Sequence, residues 1–247
     1  MTPPDSTLKD KVCLVTGGTR GIGRAIAKIL LLEGAAVAIC GQRQETVDRT
    51  VAELAAETAG KVRGKAADVK SDDQVAELFR FVDAELGSLD VLVNNAGVGV
   101  FKSVRDLSID EWKRTIETNL YGAFYCSREA LFRFGTKSGG YIVNIGSMAG
   151  ANAFAGGAAY NASKFGLTGF TEAMMQDVRS ENVRVSYIMP GSVATEFGGH
   201  AEHGADHGAD WKIWPEDVAE IVRSVLMMPA RTLVSRVEIR PAKPKRS

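Results

Sequence analysis

Short apolar runs alternate with stretches of helical periodicity along almost the whole chain. Lys11 to Thr16 (KVCLVT) is apolar and β-branched, which reads as a buried strand. Arg24 to Glu33 has the period of a helix, and Gly34 stops it. Ala35 to Cys40 reads as a second strand, Thr46 to Thr58 as a helix, and Lys61 to Asp68 as a third strand. Asp72 to Leu86 is a helix with Ser71 or Asp72 as its cap. Leu89 to Asn94 is a fourth strand, Ile109 to Phe134 one long helical region, and Tyr141 to Ile145 a fifth strand. A helix from about Ala158 to Arg179, a strand from Val183 to Met189, a helix from Pro215 to Met227 and an alternating strand from Leu233 to Arg240 complete the series. Apolar strands separated by helices bury both faces of a parallel sheet under right-handed crossovers. The expected fold class is α/β, a doubly wound parallel sheet of about seven strands with helices on both faces.

No domain boundary or solenoid repeat interrupts this alternation, so residues 1–247 are read as a single domain, with flexible tails at 1–9 and 242–247. The chain is 45% hydrophobic and 24% charged, enough apolar material for a large core. Thirty basic and thirty acidic side chains cancel, which leaves no electrostatic footprint for nucleic acid or an anionic membrane. No apolar run reaches the ~18 residues a membrane span needs, and no signal peptide opens the chain. Cys13, Cys40 and Cys126 lie far apart in strand-like and helix-like runs. They read as reduced, buried residues of a cytoplasmic protein.

Between the first strand and the first helix stands Thr16-Gly-Gly-Thr-Arg-Gly-Ile-Gly23. Backbone N–H groups and the helix dipole favour a phosphate at such a place, and glycines let it approach. The spacing is G-x-x-x-G-x-G, not the usual G-x-G-x-x-G. A second stretch, Gly139 to Thr168, brings chemistry. Its strand ends at Ser147, and Tyr160 and Lys164 follow at i and i+4 on one helix face. A phenol, an ammonium and a hydroxyl so arranged form a proton-transfer site.

Taken together, TGGTRGIG at 16–23, Asp68-Val69, Asn94-Asn-Ala-Gly97, Asn119, Ser147, Tyr160-Asn-Ala-Ser-Lys164 and Pro190-Gly191 resemble the short-chain dehydrogenase/reductase family over residues 10 to 240. The resemblance implies a Rossmann-type fold and a nicotinamide cofactor held by Gly17, Thr19, Arg20, Gly21, Ile22, Gly23, Gly41, Arg43, Asp68, Val69, Asn95, Ala96, Gly97, Tyr160, Lys164, Pro190, Gly191, Val193 and Thr195. It implies catalysis by Asn119, Ser147, Tyr160 and Lys164 without a metal. It places Ser147 on the substrate carbonyl oxygen, Lys164 on the nicotinamide ribose, and Asn119 at a helix kink with a water that links the lysine to solvent. It implies a homodimer or homotetramer paired through residues 109–134 and the helix after Tyr160.

A free ribose 2′-hydroxyl is usually met by an acid at the end of the second strand. Here that place is Cys40-Gly41-Gln42-Arg43, with no carboxylate. Arg20 and Arg43 suit a phosphate dianion instead, so NADP(H) is expected rather than NAD(H). Tyrosine has a pKa near ~10, and moving it by ~3 units toward neutrality takes roughly 4 kcal/mol. An ammonium at ~4 Å and an effective dielectric of ~20 supplies about that much. Lys164 is therefore expected to lower Tyr160.

Residues 192–214 read as a substrate lid, glycine-rich and irregular, with Phe197, Trp211 and Trp214. His200, His203 and His207 fall within it and read as solvated rather than as metal ligands. Ala149, Gly150 and Ala151 with Phe101 and Phe154 suggest an apolar pocket for a small carbonyl or alcohol. Lys243, Lys245 and Arg246 read as a solvated terminus. The expected activity is NADP(H)-dependent hydride transfer between nicotinamide and a carbonyl or secondary alcohol. A 3-oxoacyl-carrier-protein reductase is an alternative, weakened by Gln176 where such relatives carry a basic residue. A cofactor-binding sensor or scaffold is another, though it has no need of Tyr160.

Overall fold

The structure is a computed structural model, which describes residues 8–137, 139–197 and 211–243. Seven parallel strands form one sheet in the order β3-β2-β1-β4-β5-β6-β7. The strands are β1 (Val12–Val15), β2 (Ala36–Gly41), β3 (Val62–Ala66), β4 (Val91–Asn94), β5 (Gly140–Ile145), β6 (Val183–Pro190) and β7 (Arg236–Ile239). The helices between them are α1 (Gly21–Leu32), α2 (Gln44–Thr58), α3 (Asp72–Glu85), α4 (Ile109–Ile116), α5 (Gly122–Lys137), α6 (Ala158–Val178) and α7 (Pro215–Leu226).

Alternate side chains of each strand serve opposite cores, as the pleat requires. Cys13 and Val15 of β1 join Val91 and Val93 of β4 under α1 and α7, whereas Val12 and Leu14 join Leu92 under α3 and α5. The three cysteines are free and buried. Burial pushes the Cys40 thiol up to about 11 and holds Cys13 and Cys126 above their ordinary range, so all three stay protonated near neutrality. No helix among the described residues is long and apolar enough to cross a membrane.

Several boundaries differ from the sequence reading by a few residues, and three differences bear on the architecture. Leu8 is buried in the α1 core, so the amino-terminal tail ends before residue 9. Helix α1 begins at Gly21 rather than Arg24. Glycine's low helix propensity hides a first turn that backbone bonding nevertheless forms. The single helix expected from Ile109 to Phe134 is interrupted by a π-turn at Glu117–Tyr121. The π-turn spans Asn119, where the resemblance implies a kink, and the Asn119 side-chain amide bonds to the Val98 backbone and Ser163. Ser71 caps α3 as expected, accepting from the Gln74 N–H.

The chain winds outward from β1 to β3, then returns to place β4 against the other side of β1. Ligands of open α/β sheets bind outside the carboxyl ends at such a reversal. Of the lid expected at 192–214, the flanks pair with each other: Ala194 N–H donates to the Ile213 carbonyl at 2.9 Å, and Ile213 N–H to Ser192 at 3.1 Å. The span carrying His200, His203 and His207 lies outside the described residues, as do 1–7 and 244–247.

Candidate active site

Thr16 closes β1 and organises the reversal point. Its hydroxyl accepts from the backbone N–H groups of Asn95 and Ala96, both at 3.0 Å. The Asn95 amide donates to the Thr16 and Gly17 carbonyls at 2.9 and 3.1 Å. The two loops that follow β1 and β4 are thereby stapled together. Gly23 is packed into this staple, where a Cβ would collide with the Gly17 carbonyl and the Asn95 amide. Gly17 and Gly21 have φ of +64° and +52°, a region costly for other residues.

The amino end of α1 points its backbone donors at the same place. No side chain caps it and its first turn holds no acid. Unsatisfied N–H groups without a competing carboxylate suit a phosphate. Around it opens a cleft of about 1150 Å³. Ligand pockets usually span roughly 300–1,000 Å³, so there is room for a dinucleotide with a further small molecule. Every cofactor residue expected from the sequence lines this cleft, from Gly17 through Gly41, Arg43, Asp68 and Val69 to Pro190, Gly191, Val193 and Thr195. Ser147, Tyr160 and Lys164 line it too.

Asn119 does not line it. It sits behind, 2% exposed, with its Oδ1 accepting from Val98 N–H at 2.8 Å. Its Nδ2 donates to the Val98 carbonyl at 2.9 Å and to Ser163 Oγ at 2.9 Å. Ser163 Oγ in turn donates to the Tyr160 carbonyl at 2.8 Å. Asn119 thus ties the cleft wall to the helix that carries Tyr160, a positioning role.

The electrostatics of the pair reverse the expectation that Lys164 lowers Tyr160. Burial pushes Tyr160 up to about 12, only partly offset by hydrogen bonding with Ser147. The same burial pulls Lys164 down to about 8. Loss of water is the largest cause for both groups, since it penalises the charged form of each. The ammonium also faces elsewhere: Lys164 Nζ donates to the Ile145 carbonyl at 3.0 Å and lies 5.8 Å from the Tyr160 ring centroid.

Arg20 is 3.3 Å from the Glu196 carboxylate, across the mouth of the cleft, with both side chains mostly in water. Asp68 accepts from Lys70 N–H at 3.1 Å and lies 3.4 Å from its ammonium.

Two further residues escaped the sequence reading. Asn161, next to Tyr160, donates to the Ala149 carbonyl at 2.8 Å and the Asn152 carbonyl at 3.2 Å, and accepts from Phe154 N–H at 3.3 Å. It binds the loop after Ser147 to α6. Thr16 opens the glycine motif in the sequence, but its hydroxyl's role in tying the β1 and β4 loops together is visible only in the structure. In each case the partner is a backbone group outside the residue's own element, 7 to 12 residues away for Asn161 and 79 or 80 for Thr16, which helix or strand periodicity does not announce.

The family model described as short chain dehydrogenase matches residues 11–205. The chain belongs to the short-chain dehydrogenase family. It is 37% identical over 191 residues to a 3alpha-hydroxysteroid dehydrogenase of Mediterraneibacter gnavus, covering 77% of this chain and 76% of that one. The structure of a metagenomic short-chain oxidoreductase in complex with NADP superposes with a TM-score of 0.83 at 33% identity, covering 97% of this chain and all of the other. An alcohol dehydrogenase from Thermococcus sibiricus, complexed with 5-hydroxy-NADP, superposes with a TM-score of 0.88 at 28% identity over 96% of this chain and 99% of that one. The seven-stranded parallel sheet of this short-chain oxidoreductase is of the Rossmann type, and it superposes on these relatives over nearly its whole length.

Proposed function

We propose that this oxidoreductase transfers a hydride between NADP(H) and a carbonyl or secondary alcohol, with Tyr160 giving or taking the proton. One observation carries the reading: Ser147, Tyr160 and Lys164 open into the cleft whose other end is the uncapped start of α1. NADPH, when bound, supplies the hydride. Ser147 orients the substrate oxygen toward the Tyr160 hydroxyl, which protonates it. Lys164 balances the phenolate left behind and returns the proton. Asn119 keeps α6 in register through Ser163. The NADP complexes of the two solved relatives, and the hydroxysteroid activity named for the curated one, support the same chemistry.

The choice of NADP(H) over NAD(H) rests on Arg20 and Arg43 at the cleft. Arg20→Ala with Arg43→Ala is expected to raise KM for NADPH by roughly 100-fold or more, at about 1–3 kcal/mol per charged hydrogen bond. KM for NADH should move little. Assays of a ketone panel by NADPH absorbance, with NADH as control, test both statements. An unchanged NADPH-over-NADH ratio in the double variant would falsify the phosphate-binding role.

Self-association belongs to the same proposal. On α5 and the π-turn, Tyr121, Phe124 and Phe132 are exposed, and Phe165 of α6 is exposed nearby. Phe124 touches Phe170 of α6 at 6.0 Å between ring centroids. Rings left in water across two adjacent helices suit burial against a second copy. Phe124→Glu with Phe165→Glu is expected to shift a dimer or tetramer to monomer in sedimentation velocity, and a wild-type monomer at micromolar concentration would remove this part of the proposal.

A further inference from the structure

The cleft holds an unusual concentration of bare phenyl surface at its catalytic end. Phe101, Phe154 and Phe197 are 41%, 47% and 38% exposed, although large apolar side chains are normally buried. Phe101 meets the Tyr160 ring edge-on at 5.4 Å, and Phe197 meets it at 5.7 Å from another side. Phe154 extends the wall behind Phe101 at 5.9 Å. Exposed apolar surface gathered in a concavity marks a ligand site.

These rings are also held. Asn161 fixes the Phe154 backbone to α6, the helix that carries Tyr160. Lys102, beside Phe101, forms a β-bridge with Gly157 at the start of the same helix. Gly157 allows the approach, since a Cβ there would collide with the Asn161 amide and press on the Phe154 ring. Phe101 and Phe154 therefore keep their places relative to the Tyr160 hydroxyl. Arg20 pairs with Glu196, Arg240 with Glu238, and Lys164, the cation beside Tyr160, donates to the Ile145 carbonyl, while Arg43 is assigned above to the cofactor phosphate. A substrate carboxylate beside Tyr160 would meet the phenyl wall and a lysine already donating to the Ile145 carbonyl.

We propose that the substrate is an uncharged ketone, or the matching alcohol, carried on a bulky alicyclic or aromatic ring that packs against Phe101, Phe154 and Phe197. This rests on the hydride-transfer reading above and adds the substrate class to it. Aromatic walls bind ring faces through area and through the quadrupole, and they discriminate by size.

The test is kcat/KM with NADPH for acetone, cyclohexanone, 2-decalone and 2-tetralone, with 4-oxocyclohexanecarboxylate as the charged counterpart of cyclohexanone. The fused-ring ketones should exceed acetone by at least about 100-fold, and the carboxylate should fall at least about tenfold below cyclohexanone. Phe154→Ala should cut the decalone-to-acetone ratio by about tenfold, mainly through KM, and Phe154→Leu should restore part of it. Equal rates across the panel, a preference for the carboxylate, or a ratio untouched by Phe154→Ala would overturn the proposal while leaving hydride transfer standing. If no ketone is reduced at a rate that Tyr160→Phe removes, the hydride-transfer reading fails, and the substrate class fails with it.

Discussion

Tyr160→Phe is expected to reduce kcat with NADPH and a ketone by at least ~10³-fold while changing the dissociation constant for NADPH by less than about threefold. General acid catalysis is worth ~10² to 10⁴ in rate. Ser147 does not replace the phenol: its Oγ accepts from the Ala149 N–H, and in the proposed mechanism its O–H orients the substrate oxygen without giving up its proton. The ring itself stays, held between Phe101 and Phe197, so the cleft should keep its shape. The loss should therefore sit in kcat, with KM for the ketone nearly unmoved. Residual activity above a few per cent, with the fold intact by circular dichroism, would rule out Tyr160 as the proton donor.

The second large effect concerns Lys164 and has two readouts. Burial holds its pKa at about 8 and Tyr160 at about 12. Tyr160 thus remains protonated across the working range, and the group that titrates is Lys164. Reduction should be level below pH 8 and fall about tenfold per pH unit above it, as the ammonium that balances the phenolate is lost. Stability should move the other way. A lysine whose folded pKa lies below its unfolded value of 10.5 binds fewer protons when folded. Stability therefore rises with pH between about 8 and 10.5. The difference corresponds to a cost of about 3 kcal/mol, fully present below pH 8.

Lys164→Met should consequently lower kcat by ~10² or more while raising Tm at pH 7 by several degrees. The gain in Tm should shrink as pH rises from about 8 through 10.5, as the wild-type lysine loses its charge first in the folded and then in the unfolded state. A flat rate profile through pH 9.5, or a Met variant less stable than wild type at pH 7, would contradict this account. Such a residue illustrates a site that trades stability for function: a buried ammonium with one carbonyl partner is retained because the reaction needs its charge.

Much of the molecule was legible without coordinates because its signals are local. Apolar runs at strand length and helical periodicity placed all seven strands and nearly all helix boundaries. The glycines at 17, 21 and 23 announced a turn that other residues cannot make, and the i, i+4 spacing put Tyr160 and Lys164 on one face. Helical periodicity runs straight through the π-turn, where only the family resemblance implies a kink at Asn119, and the bonds from Asn119 to the Val98 backbone, 21 residues away in sequence, leave no periodic signal. Nor does the staple from Thr16 to Asn95, which spans 79 residues.

The sequence alone therefore determined the fold class and the chemical groups of the site, since both follow from periodicity and from residue type at short spacing. Only the tertiary structure decided the strand order, the phenyl wall around Tyr160, and the direction in which Tyr160 and Lys164 are shifted. Those depend on which distant groups share a volume and how much water is left there. Spacing along the chain suggested an ammonium lowering a phenol. The surrounding protein, by removing water from both, raised the phenol and lowered the ammonium instead.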